Sequence, residues 1–288
     1  RACACMRVRA CVCVRARACA CVFLLLGGAH RRVSAFSGRA GKGPRGAERD
    51  KQGPAPVWCK TFKNPFLLEL SLAEVNLLNT HPATKRNYDK RAAEKTPEII
   101  SLAKQFGKDF FDGDRKCGYG GYKYDGRWKA VVERMRAHFN LPDNAAILDI
   151  GCGKGFMLHD FKEIMPNCSV AGIDVSEYAI ENSMASVEPF LKVGSAEKLP
   201  YSDKSFDLVI AINSIHNLPL ELCKTSLKEI ERVSKRHSYI TVDAWRNDQE
   251  HENLLKWVLT AETYMHVDDW EKLFPEIGFT GDYYWFMP

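Results

Sequence analysis

Residues 147–158 read ILDIGCGKGFML and place three glycines at every second position. The run ILDI before them is apolar apart from Asp149, which is typical of a strand buried on both faces. The run FMLHDFKEIM that begins at residue 156 carries apolar residues at helical spacing. Gly151, Gly153 and Gly155 therefore lie at a turn from a strand into a helix, where glycine permits tight backbone angles and close approach of a ligand to the main chain.

Strand and helix patterns alternate from this turn towards the C-terminus. The predicted strands are AAILDI, CSVAGID, PFLKVG, FDLVIAI, SYITVDAW and GFTGDYYWF, and the predicted helices are KAVVERMRAHFN, FMLHDFKEIM, SEYAIENSMA and LELCKTSLKEIERVS. WVLTAETYM fits a helix and a strand equally well. Alternating strands and helices with apolar strands predict an α/β fold with a doubly wound, mostly parallel sheet. Ligands of such sheets bind beyond the carboxyl ends of the strands, where the glycine turn lies.

The chain before this region divides into a leader and a helical segment. We expect residues 1–55 to be a disordered, low-complexity leader, residues 56–117 a helical lead-in or lid, and residues 118–288 the ligand-binding domain. FLLELSLAEVNLLN has apolar residues at helical spacing, and TPEIISLAKQFGKDFF opens with Thr96 as an N-cap and Pro97 at the first helical position. No apolar run reaches membrane-spanning length, so we expect no membrane contact.

The leader has an unusual composition. RACACMRVRACVCVRARACACV uses Arg, Ala, Cys and Val with a single Met, and codons of alternating G with T or C encode these four residues. A translated dinucleotide repeat, and hence an artefact of the gene model, is the simplest interpretation. A secretory or mitochondrial targeting segment is the alternative. The protein is therefore predicted to be cytoplasmic, or mitochondrial if the leader is real.

Charge and cysteine content limit the function classes. The net charge of +5 combines +10 over residues 1–47 with −5 over the remaining 241 residues, which hold 31 basic and 36 acidic side chains. The folded part thus lacks a global basic field, which disfavours a nucleic-acid partner, although the segment HPATKRNYDKR offers a local patch. Six of eleven cysteines fall in the first 21 residues, and the chain has no CxxC pair. We expect reduced thiols and no metal site.

Two acids beside the glycine turn select the charge of the ligand. A dinucleotide-binding turn has the spacing G-x-G-x-x-G, whereas this turn has G-x-G-x-G with Asp149 two residues ahead of it. A carboxylate there would crowd a pyrophosphate and suits a cationic ligand. Asp174 ends the second predicted strand, 23 residues after Gly151, where a carboxylate can accept both hydroxyls of a ribose. An adenosine with a cationic, amino-acid-bearing tail satisfies both acids.

Four segments in this order and spacing carry a family resemblance. ILDIGCGKG, VAGIDVSEYAI, VGSAEKLPYSDKSFDLVIAINSIHNLP and the helix after them resemble class I S-adenosylmethionine-dependent methyltransferases from about Gly118 to Phe279. The resemblance implies a seven-stranded-type Rossmann-like sheet, S-adenosyl-L-methionine as cofactor and in-line transfer of its methyl group. The family's sheet normally ends in an antiparallel pair. Only one late strand is clear here, so that edge is expected to be shortened or its last strand missing from the gene model.

The resemblance also implies roles for individual residues. The methionine part of the cofactor would contact Asp149, Gly151, Gly153 and Gly155, and its ribose would contact Asp174. The adenine would contact Val175, Ser195, Ala196 and Glu197, and the methyl group would lie next to Asn213. The family usually has an acid at the position of Ser195, so the contact to the adenine amino group is weaker here or passes to Glu197. The loop GYGGYKYDGRW resembles one that closes over the cofactor, through Tyr119, Tyr122 and Arg127. Simple packing of its tyrosines is the alternative.

The catalytic base and the acceptor are less defined. His216 follows Asn213 by three residues in the loop where acceptors bind, so it is the candidate base, although a histidine here also packs without a catalytic role. No Asn/Asp-Pro-Pro-Tyr motif is present. We expect a small-molecule methyl acceptor. RNA or protein methylation and a non-catalytic cofactor-binding partner subunit are the alternatives, and nothing in the sequence fixes the methylated atom or the oligomeric state.

Overall fold

The computed structural model describes residues 72–81 and 86–288. These residues fall within one compact unit, residues 63–288. The expected leader over residues 1–55 lies outside the described residues, and the division at residue 118 stays a prediction. No helix among the described residues is both long enough and apolar enough to span a bilayer.

Seven strands of the described residues form one sheet. They are β1 (Ala146–Ile150), β2 (Ser169–Asp174), β3 (Leu191–Val193), β4 (Phe206–Ile212), β5 (Ser234–Trp245), β6 (Met265–His266) and β7 (Asp282–Phe286). The order is β3-β2-β1-β4-β5-β6, and β7 also pairs with β5. Each pairing between these strands is parallel. This confirms the predicted α/β, doubly wound Rossmann-like sheet with its order reversal between β1 and β4.

Nine helices of the described residues pack around the sheet, four of them before β1 and five between or after strands β1 to β6. They are α1 (Tyr88–Glu94), α2 (Pro97–Ala103), α3 (Lys108–Phe111), α4 (Lys129–His138), α5 (Phe156–Ile164), α6 (Glu177–Glu181), α7 (Leu220–Val233), α8 (Asp248–Trp257) and α9 (Val267–Ile277), with 3₁₀ turns at Glu188–Phe190 and Ile215–Asn217. The predicted cap at Thr96 is confirmed, and Ser176 caps α6 in the same way. The Thr96 side chain accepts a hydrogen bond from the Ile99 amide, and the Ser176 side chain accepts one from the Ala179 amide.

Apolar side chains cover both faces of the sheet. In β4, Leu208 and Ile210 face a core that α4 and α5 complete, whereas Val209 and Ala211 face the core beneath α7 and α9. This alternation follows from the period of two in a strand. A sheet buried on both faces leaves its strand ends as the place where polar ligands can reach it.

One predicted helix is wrong where the structure describes it. FLLELSLAEVNLLN was expected to be helical, but its described part, residues 72–79, is not helical. The Val75 amide donates to the Tyr283 carbonyl and the Tyr283 amide donates to the Ala73 carbonyl, so this segment pairs with β7. The Tyr239 hydroxyl adds a hydrogen bond to the Val75 carbonyl. Tertiary pairing with an exposed strand edge thus overrides a helical periodicity.

The far edge of the sheet differs from the family's usual pattern. β7 pairs with Tyr239–Asp243 of β5, and β6 continues along the same edge beside Ala244 and Trp245. Both run parallel to β5, and the described residues show no antiparallel pair. The ambiguous segment WVLTAETYM is mostly a loop between α8 and β6. The edge therefore has two short parallel strands because the long β5 offers room for both.

Candidate active site

The glycine turn joins β1 to α5 through left-handed backbone. Gly151 has φ +78°, Gly153 +54° and Gly155 +76°, a region that favours glycine. The amides of Gly151 and Cys152 both donate to the Ile173 carbonyl, which fixes the turn against the end of β2. The turn is therefore a rigid part of the sheet's carboxyl edge.

Each glycine of the turn also allows a close neighbour. A Cβ at Gly151 would overlap the side chain of Ser214, which follows β4. A Cβ at Gly153 would lie 3.3 Å from the Tyr122 ring, and one at Gly155 would lie 2.7 Å from a Val187 methyl group. Gly151 and Gly153 face the two loops beside the cavity described below, whereas Gly155 serves packing between α5 and the segment before β3.

Asp174 ends β2 with both carboxylate oxygens held by main-chain amides. Oδ2 accepts from the Gly153 amide at 2.7 Å, and Oδ1 accepts from the Ser176 amide at 2.8 Å. Burial raises the pKa of Asp174 although these amide hydrogen bonds oppose the shift. Because each carboxylate oxygen has a second lone pair, the group can accept two further hydrogen bonds from a ligand.

Asp149 lies behind the turn and is 4% exposed. Burial, and after it the charge of Asp174, raises the pKa of Asp149 to about 8. Two carboxyl groups in one poorly solvated region repel each other when both are ionised. A cation bound nearby would relieve this repulsion, so the pair favours a positively charged ligand.

A cavity of about 390 Å³ opens at the carboxyl ends of β1, β2 and β4. Its wall contains Lys104, Gln105, Phe106, Phe110, Phe111, Tyr119, Tyr122, Ile150, Gly151, Gly153, Ile173, Asp174, Val175, Gly194, Ser195, Ala196, Ile212, Asn213, Ser214, Ile215, Asn217 and Leu218. The volume falls within the usual range for small-molecule sites, about 300–1,000 Å³. The cavity thus occupies the position that the strand order assigns to a ligand.

The outer wall of the cavity is formed by residues 104–122, which we call the strap. Its aromatic rings pack together, with ring centroids 4.4 Å apart for Tyr119 and Tyr122 and 5.2 Å apart for Phe110 and Tyr119. Tyr122 also stacks on Phe156 at the start of α5, at 4.7 Å. The strap therefore presents an aromatic surface to the glycine turn, and two of the residues predicted for a closing loop line the cavity.

A partly buried ion pair ties the strap to the glycine turn. Lys154, which lies between Gly153 and Gly155 and is 7% exposed, donates from Nζ to Asp112 Oδ2 at 2.6 Å. Asp112 also accepts from the Tyr178 hydroxyl and the Tyr122 amide. Partial burial opposes ionisation of Asp112, but these hydrogen bonds hold its pKa below the usual value. The lysine of the motif thus anchors the strap rather than facing the cavity.

The segment after β3 places two of its three predicted residues at the cavity. Ser195 and Ala196 line it, whereas Glu197 is not part of the wall. The Ser195 hydroxyl donates to Glu197 Oε1 at 3.2 Å. A contact of Glu197 with an adenine would need its side chain to leave this hydrogen bond.

Asn213 ends β4 in a left-handed conformation, with φ +49°. Its amide donates to Thr241 Oγ1 at 2.9 Å, and the Thr241 hydroxyl donates to Asn213 Oδ1 at 2.8 Å. A non-glycine residue in this region stores strain, and strain of this kind clusters at functional sites. The two hydrogen bonds fix Asn213 in the cavity wall beside Ser214.

The structure does not place His216 in the cavity wall. The side chain is 5% exposed, and its Nδ1 accepts a hydrogen bond from the Asp243 amide at 3.2 Å. Burial lowers the pKa of His216 to about 3. Its carbonyl accepts from the amides of Glu262 and Thr263, so the residue joins two loops. This geometry matches the packing interpretation of the sequence, and the role of His216 as a base stays a prediction.

Arg127 and Tyr124 also lie away from the wall. Arg127 is exposed and pairs with Asp125, two residues before it. The Tyr124 hydroxyl donates to Asp160 of α5 at 2.6 Å. The predicted closing loop thus contributes its first two tyrosines to the cavity, while its end packs beside α5.

Sequence reasoning missed part of the wall. Lys104, Gln105 and Phe106 follow α2 directly, and Phe106 has φ +48°. The Phe106 carbonyl accepts from the Ser176 hydroxyl, which joins this bend to the end of β2. The run QFGKDFF carries a signal in its phenylalanines, but only the tertiary structure shows that they face the sheet.

Residues 141–281 match a family model described as a methyltransferase domain. Over 112 residues the chain is 39% identical to a demethylmenaquinone methyltransferase of Staphylococcus aureus, covering 37% of this chain and 46% of that protein. Over 145 residues it is 27% identical to a tRNA U34 carboxymethyltransferase of Nautilia profundicola, covering 48% and 46%. The crystal structure of the YcgJ protein from Bacillus subtilis superposes with a TM-score of 0.42 at 19% identity, covering 51% and 66%.

The Rossmann-like sheet with its cavity at the switch point defines a ligand-binding α/β domain. The family match narrows this class to methyltransferases. Residues 141–281 form a methyltransferase domain, and S-adenosylmethionine is the methyl donor of that family. The chain spans between 35% and 64% of the length of the first five curated relatives that it matches. These relatives include proteins named for tRNA and for small-molecule methyl acceptors.

Proposed function

We propose that this protein is an S-adenosylmethionine-dependent methyltransferase that acts on a small molecule. The observation that carries the proposal is the position of the Asp174 carboxylate in the cavity wall, bound to the Gly153 amide of the glycine turn. An acid at the end of the second strand, beside a glycine-rich turn, suits the ribose of a nucleoside and the tail attached to it.

The residues present fit this cofactor. Asp174 has lone pairs for the ribose hydroxyls, and the cradle at Gly151 and Gly153 is one that a Cβ would partly fill. Asp149 and Asp174 together favour a positive charge close to the turn. Ser195 and Ala196 offer the wall for the base. When bound, the cofactor supplies a methyl group on a positively charged sulfur.

The strap supports a small acceptor. It forms the outer wall of the cavity and is held by the partly buried ion pair of Asp112 and Lys154. A polymer would have to present its nucleophile past this wall. An acceptor of small size needs only the space inside it.

The local basic patch gives little support to an RNA acceptor. Arg91 donates to the carbonyls of Lys116 and Trp257, and Lys90 lies 3.7 Å from Glu94. Arg91 thus joins α1 to two other segments, which ties up its guanidinium, whereas the exposed Lys90 remains available to a phosphate. The negative charge of residues 48–288 disfavours an RNA acceptor.

Calorimetric titration tests the cofactor. We expect S-adenosylmethionine and S-adenosylhomocysteine to bind and NAD not to bind. Asp174→Ala should weaken binding about 10- to 100-fold, the usual range for hydrogen bonds to a charged group. Asp207→Ala is the control, because Asp207 lies at the amino end of β4 and accepts from the Ala146 amide. Unchanged affinity in Asp174→Ala would remove this residue from the ribose site.

Methyl transfer from radiolabelled cofactor into a cell extract tests the acceptor. Separation of the extract into small-molecule, RNA and protein fractions should place the label in the first. Label in RNA or protein would contradict the small-molecule acceptor while keeping the enzyme class. Cofactor binding with no label in any fraction would favour a non-catalytic partner subunit.

A further inference from the structure

Lys104 is the positively charged residue among the described residues of the cavity wall. Lys104 caps the C-terminus of α2, and its Nζ lies 2.8 Å from Glu262 Oε1. Among the described residues, the cavity wall contains two charged residues, Asp174 and Lys104. Neither the glycine turn nor the ribose site uses it.

Lys104 lines the cavity, and its ion-pair partner Glu262 lies in a segment that is hydrogen-bonded to the loop after β4. The Glu262 amide donates to the His216 carbonyl at 3.0 Å, and the Thr260 hydroxyl donates to Asn217 Oδ1 at 2.8 Å. Glu262 therefore belongs to a loop fastened to the turn at residues 215–217. Lys104 reaches across to that loop from the strap.

The ion pair of Lys104 and Glu262 is exchangeable. The side chains are 40% and 38% exposed, and pairs with this exposure contribute about 0–1 kcal/mol. An anionic ligand entering the cavity can replace the Glu262 carboxylate at little cost. The Lys104 backbone stays fixed during such an exchange because its amide donates to the Ile100 carbonyl at the end of α2.

The described part of the wall offers no group that takes up a proton near neutral pH beside this loop. Its titratable residues are Lys104, Tyr119, Tyr122 and Asp174. The phenols are protonated at neutral pH, and Asp174 lies at the end of β2 with both oxygens held by amides. The Ser214 hydroxyl donates to the Ile150 carbonyl. An acceptor that must lose a proton during transfer, such as an alcohol, would lack a base here.

Resting on the proposed function, we infer that the acceptor is a small organic anion that arrives ionised and is held by Lys104 in place of Glu262. Thiolates, acidic phenolates and carboxylates belong to this class. The lone pair of such an anion forms the new bond to the methyl carbon, and the electron pair of the broken sulfur–carbon bond stays on sulfur. The charges of anion and sulfonium cancel, so no proton has to move and Lys104 keeps its own.

A matched pair of probes tests this inference by binding alone. The full chain is saturated with S-adenosylhomocysteine, and benzoate or benzamide, which have the same shape and differ in charge, is titrated calorimetrically. We expect benzoate to bind at least about tenfold more tightly than benzamide, as for a hydrogen bond to a charged group. Lys104→Gln should abolish the preference. Lys116→Gln, a strap lysine of similar exposure outside the wall, should keep it.

Glu262→Gln distinguishes anion binding by Lys104 from a purely structural role of its ion pair with Glu262. It breaks the same pair as Lys104→Gln but should strengthen benzoate binding, because the competing carboxylate is removed. Equal binding of the two probes, or a preference that survives Lys104→Gln, would overturn the inference. So would a Lys104→Gln variant that loses only affinity for S-adenosylhomocysteine, since Lys104 would then hold the cofactor. Failure of the unmodified protein to bind S-adenosylhomocysteine would instead refute the proposed function.

Discussion

Replacing Asp149 with Asn tests whether the ionised form of this buried acid destabilises the folded protein. The pKa of Asp149 is raised to about 8 in the folded protein, against about 3.9 in an unfolded chain. Between these values the folded state binds a proton that the unfolded state has lost. The free energy of unfolding therefore falls as pH rises, by about 1.4 kcal/mol per pH unit from this group. Between pH 4.5 and 7 the loss amounts to about 3 kcal/mol.

Denaturant unfolding across this pH range measures the effect. Asp149→Asn should remove the contribution of Asp149 to the pH dependence of stability. The difference in free energy of unfolding between the variant and the unmodified protein should therefore shift by about 3 kcal/mol in favour of the variant between pH 4.5 and 7. The comparison between proteins is needed because other groups titrate too. Burial raises the pKa of Asp174 and Asp160 and lowers that of His216 to about 3. Parallel stability curves for the two proteins would refute the reasoning.

Asp243→Asn is the matched control for this prediction. Asp243 is 3% exposed and burial alone raises its pKa to about 8, whereas the charge of Asp174 contributes to the raised pKa of Asp149. Asp243→Asn should show the same change in stability slope. Affinity for S-adenosylmethionine should rise with pH up to about 8 in the unmodified protein and in Asp243→Asn, because a bound cation favours ionised Asp149. The rise should disappear in Asp149→Asn, and its persistence there would place the cation elsewhere.

Two further changes test the turn and the buried histidine. Gly151→Ala should lower the free energy of unfolding by about 3 kcal/mol, because alanine is strained in left-handed backbone and its Cβ would overlap Ser214. Gly278→Ala has the same φ of +78° but no neighbour within 4 Å, so it should cost about 1 kcal/mol. Equal losses in denaturant unfolding would show that the overlap at Gly151 relaxes. His216→Ala should lower stability by about 1–3 kcal/mol because the Asp243 amide loses its acceptor, while affinity for S-adenosylhomocysteine stays unchanged; a large loss of affinity by calorimetry would return His216 to the site.

The sequence by itself determined the sheet and the edge of the sheet at which the cavity opens. Apolar runs of strand length alternating with amphipathic helices leave few topologies, because parallel crossovers are right-handed and strands buried on both faces need helices on both. The glycine triplet identified the first strand-to-helix turn, since left-handed backbone is a local property of glycine. Asp174 followed from its place at the end of β2.

Only the tertiary structure decided which side chains face the cavity. Residues 72–78 carry a helical pattern but pair with β7, because an exposed strand edge offers hydrogen bonds that local periodicity does not encode. His216 and Arg127 follow the family pattern along the chain, yet the first is buried against β5 and the second pairs with its neighbour Asp125. Lys104 enters the wall through the path of the strap, whose contacts with the sheet join residues 40 to 70 positions apart. Contacts of that range depend on packing of the whole domain and leave no periodic signal in the sequence.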